Sequence, residues 1–425
     1  MQRSPNLANS VSPTNIGHVV FGIGGSTSTW GNRKSYAESW WKPNATRGFV
    51  FFETIPRKHL PWSISSPPFR VSENTSKYKD YDKHPIPQAI RLARIISETF
   101  DLENKGVRWY VLGDDDTVFF INNLVDVLAR YDHDEYLYIG MNSECHSSNS
   151  LHSFEMAFGG AGYAFSYPLA KALVTNLDVC LKRYQTLYGH DHILQSCVAD
   201  MGVSITHEKG FHQIDLHNDI SGYLSAHPQS PLVSLHHLDA VDPIFPSMDR
   251  KESLNHLMKS SKVDESRLLQ HIICYHNPTN WTFSISWGYS LQIYESLIFP
   301  SILHKPLQTF TPWTKVIRPP YFIFNTRIPS NDPCQAPHLF YFDSHIENTT
   351  RGGDYILTTY TRGKIRGLPA CNHSADDISK IVVFSPIRKH HLNGSRRECC
   401  DVLRIIGRDA AELKLRDCLE NEILP

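Results

Sequence analysis

The sequence predicts an α/β domain with a mostly parallel sheet over residues 17–250, followed by a β-rich, disulfide-containing domain over residues 251–425. Three observations predict it. Up to Arg250, short apolar runs alternate with stretches of helical periodicity, the pattern of a sheet covered by helices. Beyond it, apolar and polar residues alternate with period two, most plainly in Trp281–Trp287, WTFSISW. The cysteines divide at the same place, with Cys274, Cys334, Cys371, Cys399, Cys400 and Cys418 late and only Cys145, Cys180 and Cys197 early. The chain of 425 residues suits two domains, and the polar residues 1–16 read as a flexible stalk ahead of them.

Taken in order, His18–Ile23 is a short apolar strand. The small residues Gly24–Thr29 form a loop before a helix over Arg33–Trp41. Such a loop can present N–H groups to a phosphate. It lacks the Gly-Lys-Ser/Thr ending of a P-loop, and GxGxxG is absent too. Gly48–Phe52 is a second strand, ending at Glu53, and Pro56–Pro87 reads as a long surface loop. Ile90, Ala93, Ile96 and Phe100 mark a helix over Ile86–Phe100. Trp109–Leu112 is a buried strand, with a helix over Asn122–Tyr131 after it and a further strand at Tyr136–Ile139. Gly159-Gly160-Ala161-Gly162 demands unusual torsions or a close approach, as a tight turn or a substrate loop would. Helices follow over Ser166–Arg183, with Pro168 in the first turn, and over Asp191–Met201. Val233–Asp239 is apolar except at its end.

In the second half, Trp281, Phe283, Ile285 and Trp287 share one face opposite Thr282, Ser284 and Ser286, as in a half-buried strand. Tyr321–Phe324, Leu339–Phe342, Tyr355–Tyr360, Ile381–Phe384 and Val402–Ile406 are further strand candidates. Cys180 and Cys197 sit on neighbouring predicted helices and are expected to pair, leaving Cys145 over, while the six late cysteines pair among themselves. No CxxC occurs, so disulfides are favoured over zinc.

Lys plus Arg is 42 and Asp plus Glu is 43, so no net field argues for nucleic acid or an anionic membrane. No apolar run approaches the length of a membrane span. Asn-X-Ser/Thr sequences at Asn44, Asn74, Asn280, Asn348, Asn372 and Asn393, together with the nine cysteines, point to the secretory pathway.

The chain is organised around WYVLGDDDTVFF. The strand stops at Gly113, and Asp114, Asp115 and Asp116 follow. Carboxylates at the carboxyl end of such a strand lie where open α/β sheets bind ligands. Three adjacent carboxylates repel one another, and a hard cation such as Mn²⁺ or Mg²⁺ removes that cost. The plainer alternative is an acidic turn capping the next helix.

The order of the blocks HVVFGIGGSTSTWGNRKSYAESWW, RGFVFFE, RWYVLGDDDTVFF, MAFGGAGYAFSYPLAKAL, LYGHDHILQSCVADMGV, GFHQID and VSLHHLDAVDPIFP resembles the Fringe-like glycosyltransferases of family 31. It is closest to the plant-type domain of unknown function 604 family. NWTFSISWGYSLQIY, FNTRIPSNDPC and RRECCDVLRI also fit, so the resemblance covers about residues 17 to 420.

That resemblance implies a GT-A-like, Rossmann-like fold and inverting transfer of a sugar from a UDP-sugar to an acceptor hydroxyl, forming a β-1,3 linkage. It implies Mn²⁺ (or Mg²⁺) held by Asp114, Asp116 and a late histidine, best matched by His237, with His236 as runner-up. Arg33 matches the basic residue facing the nucleotide. Glu53 stands where relatives carry an aspartate that reads uracil. Asp114, Asp115, Gly159 and Gly160 fall along the nucleotide-sugar. Asp191 matches the general base, with His192 in place of the second acid of the usual pair. The acceptor would be a glycan or glycoprotein in the Golgi or ER lumen. Relatives are type II membrane proteins, whereas no anchor is visible in this sequence. The competing class, supported by the altered acidic pair, is a carbohydrate-binding pseudoenzyme. A metal-dependent hydrolase leaves the GGAG loop and the second half unexplained.

Overall fold

The computed structural model describes residues 12–78, 86, 88–350, 353–387, 398–407 and 409–423, the side chains of 347–350, 353 and 354 aside. Asn393 and most of the expected stalk lie outside them. Along the chain run β1 (Val19–Gly24), α1 (Trp30–Trp40), β2 (Arg47–Phe52), β3 (Phe69–Val71), α2 (Ala89–Leu102), β4 (Trp109–Asp114), β5 (Val118–Phe119), α3 (Ile121–Leu128), β6 (Tyr138–Gly140) and α4 (His146–Leu151). Then come β7 (Tyr163–Ser166), α5 (Tyr167–Tyr184), α6 (His190–Ala199), β8 (Ile205–His207), β9 (Phe211–His212), β10 (Leu216–Asn218), α7 (Ser221–Ala226), β11 (Ser234–Leu235) and α8 (Arg250–Val263).

The main sheet has the order β3-β2-β1-β4-β7-β6-β8. Strands β3, β2, β1 and β4 are parallel, as expected, but β7 runs antiparallel to both β4 and β6, so the sheet is mixed. β3 lies inside what reads in sequence as a loop; at three residues it is too short to show a period. Every residue of β1 is buried, as a strand with helices on both faces requires. On one face, α2, α5 and α6 contribute Ile90, Leu173 and Ile193 to one apolar cluster.

The other face opens into a core that runs without a break into the second half, from Val19 to Leu415. That half contains β12 (His271–His276), β13 (Trp281–Ser286), β14 (Ser290–Tyr294), α9 (Pro300–Leu303), β15 (Phe310–Pro312), β16 (His338–Thr350), β17 (Gly353–Arg362), β18 (Lys380–Pro386), β19 (Cys399–Ile406) and β20 (Ala410–Arg416). Its eight-stranded sheet, β12-β13-β14-β16-β17-β18-β20-β19, is antiparallel except between β18 and β20.

Two expectations fail here. β13 is buried on both faces rather than one. Its polar side is covered, and every hydroxyl on it is partnered: Thr282 donates to the Ser296 carbonyl at 2.7 Å, Ser284 meets His271 Nε2 at 2.8 Å, and Ser286 donates to the Leu224 carbonyl at 2.9 Å. Tyr321–Phe324 forms no strand, only an isolated bridge from Phe322 to Cys145.

The cysteines pair as expected: Cys180–Cys197, Cys274–Cys400, Cys334–Cys371 and Cys399–Cys418, with Cys145 free and buried. Asn44, Asn74, Asn280 and Asn372 are all exposed. Among the described residues no helix is long and apolar enough to cross a membrane.

Candidate active site

β1 and β4 end side by side, with Gly24 opposite Asp114. The three aspartates therefore leave the sheet next to the Gly25–Thr29 loop. They do not cap the next helix, because α3 starts after Phe120 without a side-chain cap. Thr117 shapes the turn instead. Its hydroxyl accepts from the Asp114 N–H at 2.8 Å and donates to the Gly160 carbonyl at 2.7 Å, which ties the aspartates to the GGAG loop.

A three-stranded sheet, β5-β11-β9, brings the histidines in. β11 pairs with β5 just beyond the aspartates, so His236 and His237, which follow β11, arrive beside them. His236 Nε2 lies 3.2 Å from Asp116 Oδ1. Asp116, His236 and His237 can each bring one ligand atom within 4.8 Å of the others. Asp114 is not in that trio.

Arg33, on α1, faces the same group. Its guanidinium lies 3.3 Å from Asp115, 3.2 Å from Asp116 and 2.8 Å from Asp239. Asp116 is fully buried, yet neither of its oxygens has a hydrogen bond of good geometry. Its contacts to His236 and Arg33 are charge contacts, so an ionised carboxylate in this position is held by ion pairs rather than by hydrogen bonds.

The electrostatics agree. Burial, reinforced by Asp116, pushes Asp115 up to about 7 despite Arg33. Burial works against ionisation of Asp116 as well, but His236 and Arg33 more than offset it and hold its carboxyl well below the usual range. Burial disfavours a charged His236, yet Asp116 raises it to about 9. In this state a proton on His236 and the Arg33 guanidinium face Asp114, Asp115, Asp116 and Asp239. The cluster is short of positive charge.

His237 is held by groups that sequence reasoning did not single out. Its backbone is left-handed, at φ 56°. Its Nδ1 lies 3.1 Å from Asp215, and Asp215 accepts from Ser143 at 2.5 Å and from Gln213 at 3.2 Å. The ring stacks on Trp313 at 4.3 Å and 3°, and His217 stacks on Trp313 at 4.5 Å. β10 pairs with β15 to deliver Trp313 from the second half. Trp313 sits in no local motif, and Asp215 closes the block GFHQID, which by itself gives it no role.

The GGAG loop runs between the histidines and Asp191. A Cβ at Gly160 would lie 2.0 Å from the His236 ring, and one at Gly159 would lie 2.4 Å from His190. The loop needs glycine there because two rings pack on its backbone. Asp191, in the first turn of α6, accepts from the Gly159 N–H at 3.1 Å and from the His192 N–H at 2.8 Å. Glu53 accepts from the Thr27 N–H at 3.0 Å and from the Thr27 hydroxyl. Burial opposes its charge, but those bonds win and lower its pKa. Glu53 therefore clasps the Gly25–Thr29 loop.

A family model described as "Protein of unknown function, DUF604" matches residues 148–400. Two curated relatives are similar over shorter stretches. A beta-1,3-glucosyltransferase of Homo sapiens is 26% identical over 179 residues, 39% of this chain and 34% of its own length. One of Mus musculus is 29% identical over 150 residues, 35% of this chain and 29% of its own. The chain spans about a third of the length of the curated relatives it matches.

Proposed function

The chain belongs to the family described as protein of unknown function, DUF604, and from that premise we propose that it is a divalent-metal-dependent, inverting glycosyltransferase of the GT-A type. It moves a sugar from a UDP-sugar to a hydroxyl of a glycan or glycoprotein, forming a β-1,3 linkage. The names of the two relatives support the linkage class. The observation that carries the site is Asp116, a fully buried carboxylate without a hydrogen bond, at the end of a central parallel strand and beside two histidines. That donor set, two imidazoles and a carboxylate, suits a divalent transition-metal ion, and Mn²⁺ is the one that the family resemblance implies.

Asp116, His236 and His237 would hold the cation, with Asp114 nearer the nucleotide-sugar. Bound there, the cation supplies positive charge to the diphosphate leaving group. His236 must give up its proton to serve as a ligand. The Asp215 carboxylate faces His237 Nδ1 at 3.1 Å, which leaves Nε2 as the donor atom. Arg33, about a third exposed, can turn from Asp115 towards a phosphate. Gly159 and Gly160 let the rings of His190 and His236 pack on the loop, which sets His236 beside the cluster. Asp191 takes the acceptor proton from the side opposite the diphosphate. The paired cysteines and exposed glycosylation sequences support a secretory compartment, the Golgi or ER lumen.

One observation favours the second reading, a carbohydrate-binding protein with little turnover. Both Asp191 oxygens are already engaged by backbone N–H groups, so each has one acceptor position fewer for an incoming hydroxyl. Calorimetric titration of UDP into chelator-treated protein, with and without Mn²⁺, tests the site common to both readings. Binding should require Mn²⁺ and vanish in Asp116→Ala, while that variant still melts cooperatively. Metal-independent UDP binding, or none at all, would sink the assignment. Sugar transfer by the parent then separates enzyme from pseudoenzyme.

A further inference from the structure

A cavity of about 390 Å³ has none of the aspartates around Arg33 in its wall. It is built from both halves: Glu144, Lys209, His212 and His227 from the first, Lys305 and Phe324 from the second. Its size suits a small ligand, and junctions between domains are where such sites gather.

Glu144 is the one carboxylate among the lining residues, and both of its oxygens are hydrogen-bonded. Oε1 meets His212 Nδ1 at 2.9 Å and accepts from the Tyr223 hydroxyl at 2.7 Å, while Oε2 accepts from the Ile214 N–H at 2.8 Å. Three hydrogen bonds take three of its four acceptor positions, and Glu144, His212 and His227 bring possible ligand atoms within 4.8 Å of one another. Lys209 and Lys305 are both exposed and have no carboxylate partner among the described residues. Glu208, next to Lys209, is turned away to Arg130 at 3.0 Å.

The His212 side chain is 4% exposed, and its Nε2 is buried without a hydrogen-bond partner. A buried nitrogen left unpaired is costly, and a ligand hydroxyl would satisfy it. Burial pushes His227 down to about 3, so its ring offers hydrogen bonds rather than charge. The Phe324 ring, 4.2 Å from that of His227, gives the cavity an apolar flank. Uncompensated ammonium groups, an orphan ring nitrogen and an aromatic wall match a sugar ring that carries a negative group.

We propose that this cavity binds a saccharide bearing an anionic substituent, carboxylate or phosphate, independently of the metal cluster. Glucuronate, glucose 6-phosphate and glucose are titrated in turn into the full chain, free of metal, and followed by calorimetry or ligand-observed NMR. At least one anion should saturate, and glucose should bind at least about tenfold more weakly. The tighter anion identifies the group. Raising the salt to about 0.5 M should weaken the anion, because the lysines are exposed. The double variant Lys209→Ala with Lys305→Ala should lose at least about tenfold in affinity at an unchanged melting temperature. Asp116→Ala should bind like the parent, which separates this site from the UDP site. Equal binding of glucose and the anions, parent-like binding by the lysine variant, or no saturable binding of either anion overturns the proposal.

Discussion

Stripped of metal, the protein should become less stable as the pH rises from about 6.5 to about 9, and Mn²⁺ should cancel the loss. The perturbed group is His236. Its folded-state pKa is raised from 6.5 to about 9 by Asp116. A raised histidine stabilises the fold fully below its unfolded pKa, and that contribution is gone above the folded one. At about 1.4 kcal/mol per pH unit, the pair is worth about 3 kcal/mol. Asp115, raised from 3.8 to about 7, acts in the same sense at lower pH, and its share is almost spent where that of His236 begins to fall. In a chain of this size, about 3 kcal/mol corresponds to about 3–6 °C in Tm. Scanning fluorimetry on chelator-treated parent and Asp116→Asn, at steps between these pH values, isolates the pair. Asn cannot hold the imidazolium, so the gap between the two curves should be widest at the acid end and shrink towards pH 9. A gap that stays constant or widens with pH would refute the reasoning.

Three further outcomes follow from the same geometry. Asp191→Asn should lower turnover by at least about a hundredfold and leave UDP and metal binding intact; turnover near the parent rate would make Asp191 a structural residue, with His192 the first alternative. Trp313→Ala should weaken Mn²⁺ binding by about tenfold through loss of the stack on His237, and Trp313→Phe should restore most of it; equal affinities in all three proteins would show that the stack does not position the histidine. Replacing Cys180 and Cys197 by Ala should cost about 3 kcal/mol by denaturant titration, from the 17-residue separation, and parent-like stability would contradict it.

The sequence by itself determined what is local. Apolar strands and helical periods located β1, β2, β4, α2, α5 and α6 within a few residues, because each depends on its own hydrophobic pattern. The Cys180–Cys197 pair was legible because both residues lie on adjacent helices. The strand before DDD marked the candidate site, because carboxylates at the carboxyl end of such a strand lie where open α/β sheets bind ligands. Tertiary structure decided the rest. The direction of β7 comes from its pairing with β4 and β6, and nothing within Tyr163–Ser166 encodes it. The polar face of β13 is buried because Leu224 and His271 arrive from elsewhere to bond its hydroxyls. His236 and His237 are adjacent in sequence, so pattern alone could not say which meets Asp116; the structure groups both with it, under different constraints. Trp313 belongs to no block of the resemblance, and the blocks that hold Asp215 and Asp239 give neither of them a role. Asp215, Asp239 and Trp313 reach the cluster through His237, Arg33 and β15, because the charge balance of a buried site is closed by contacts between distant segments, which a linear pattern does not record.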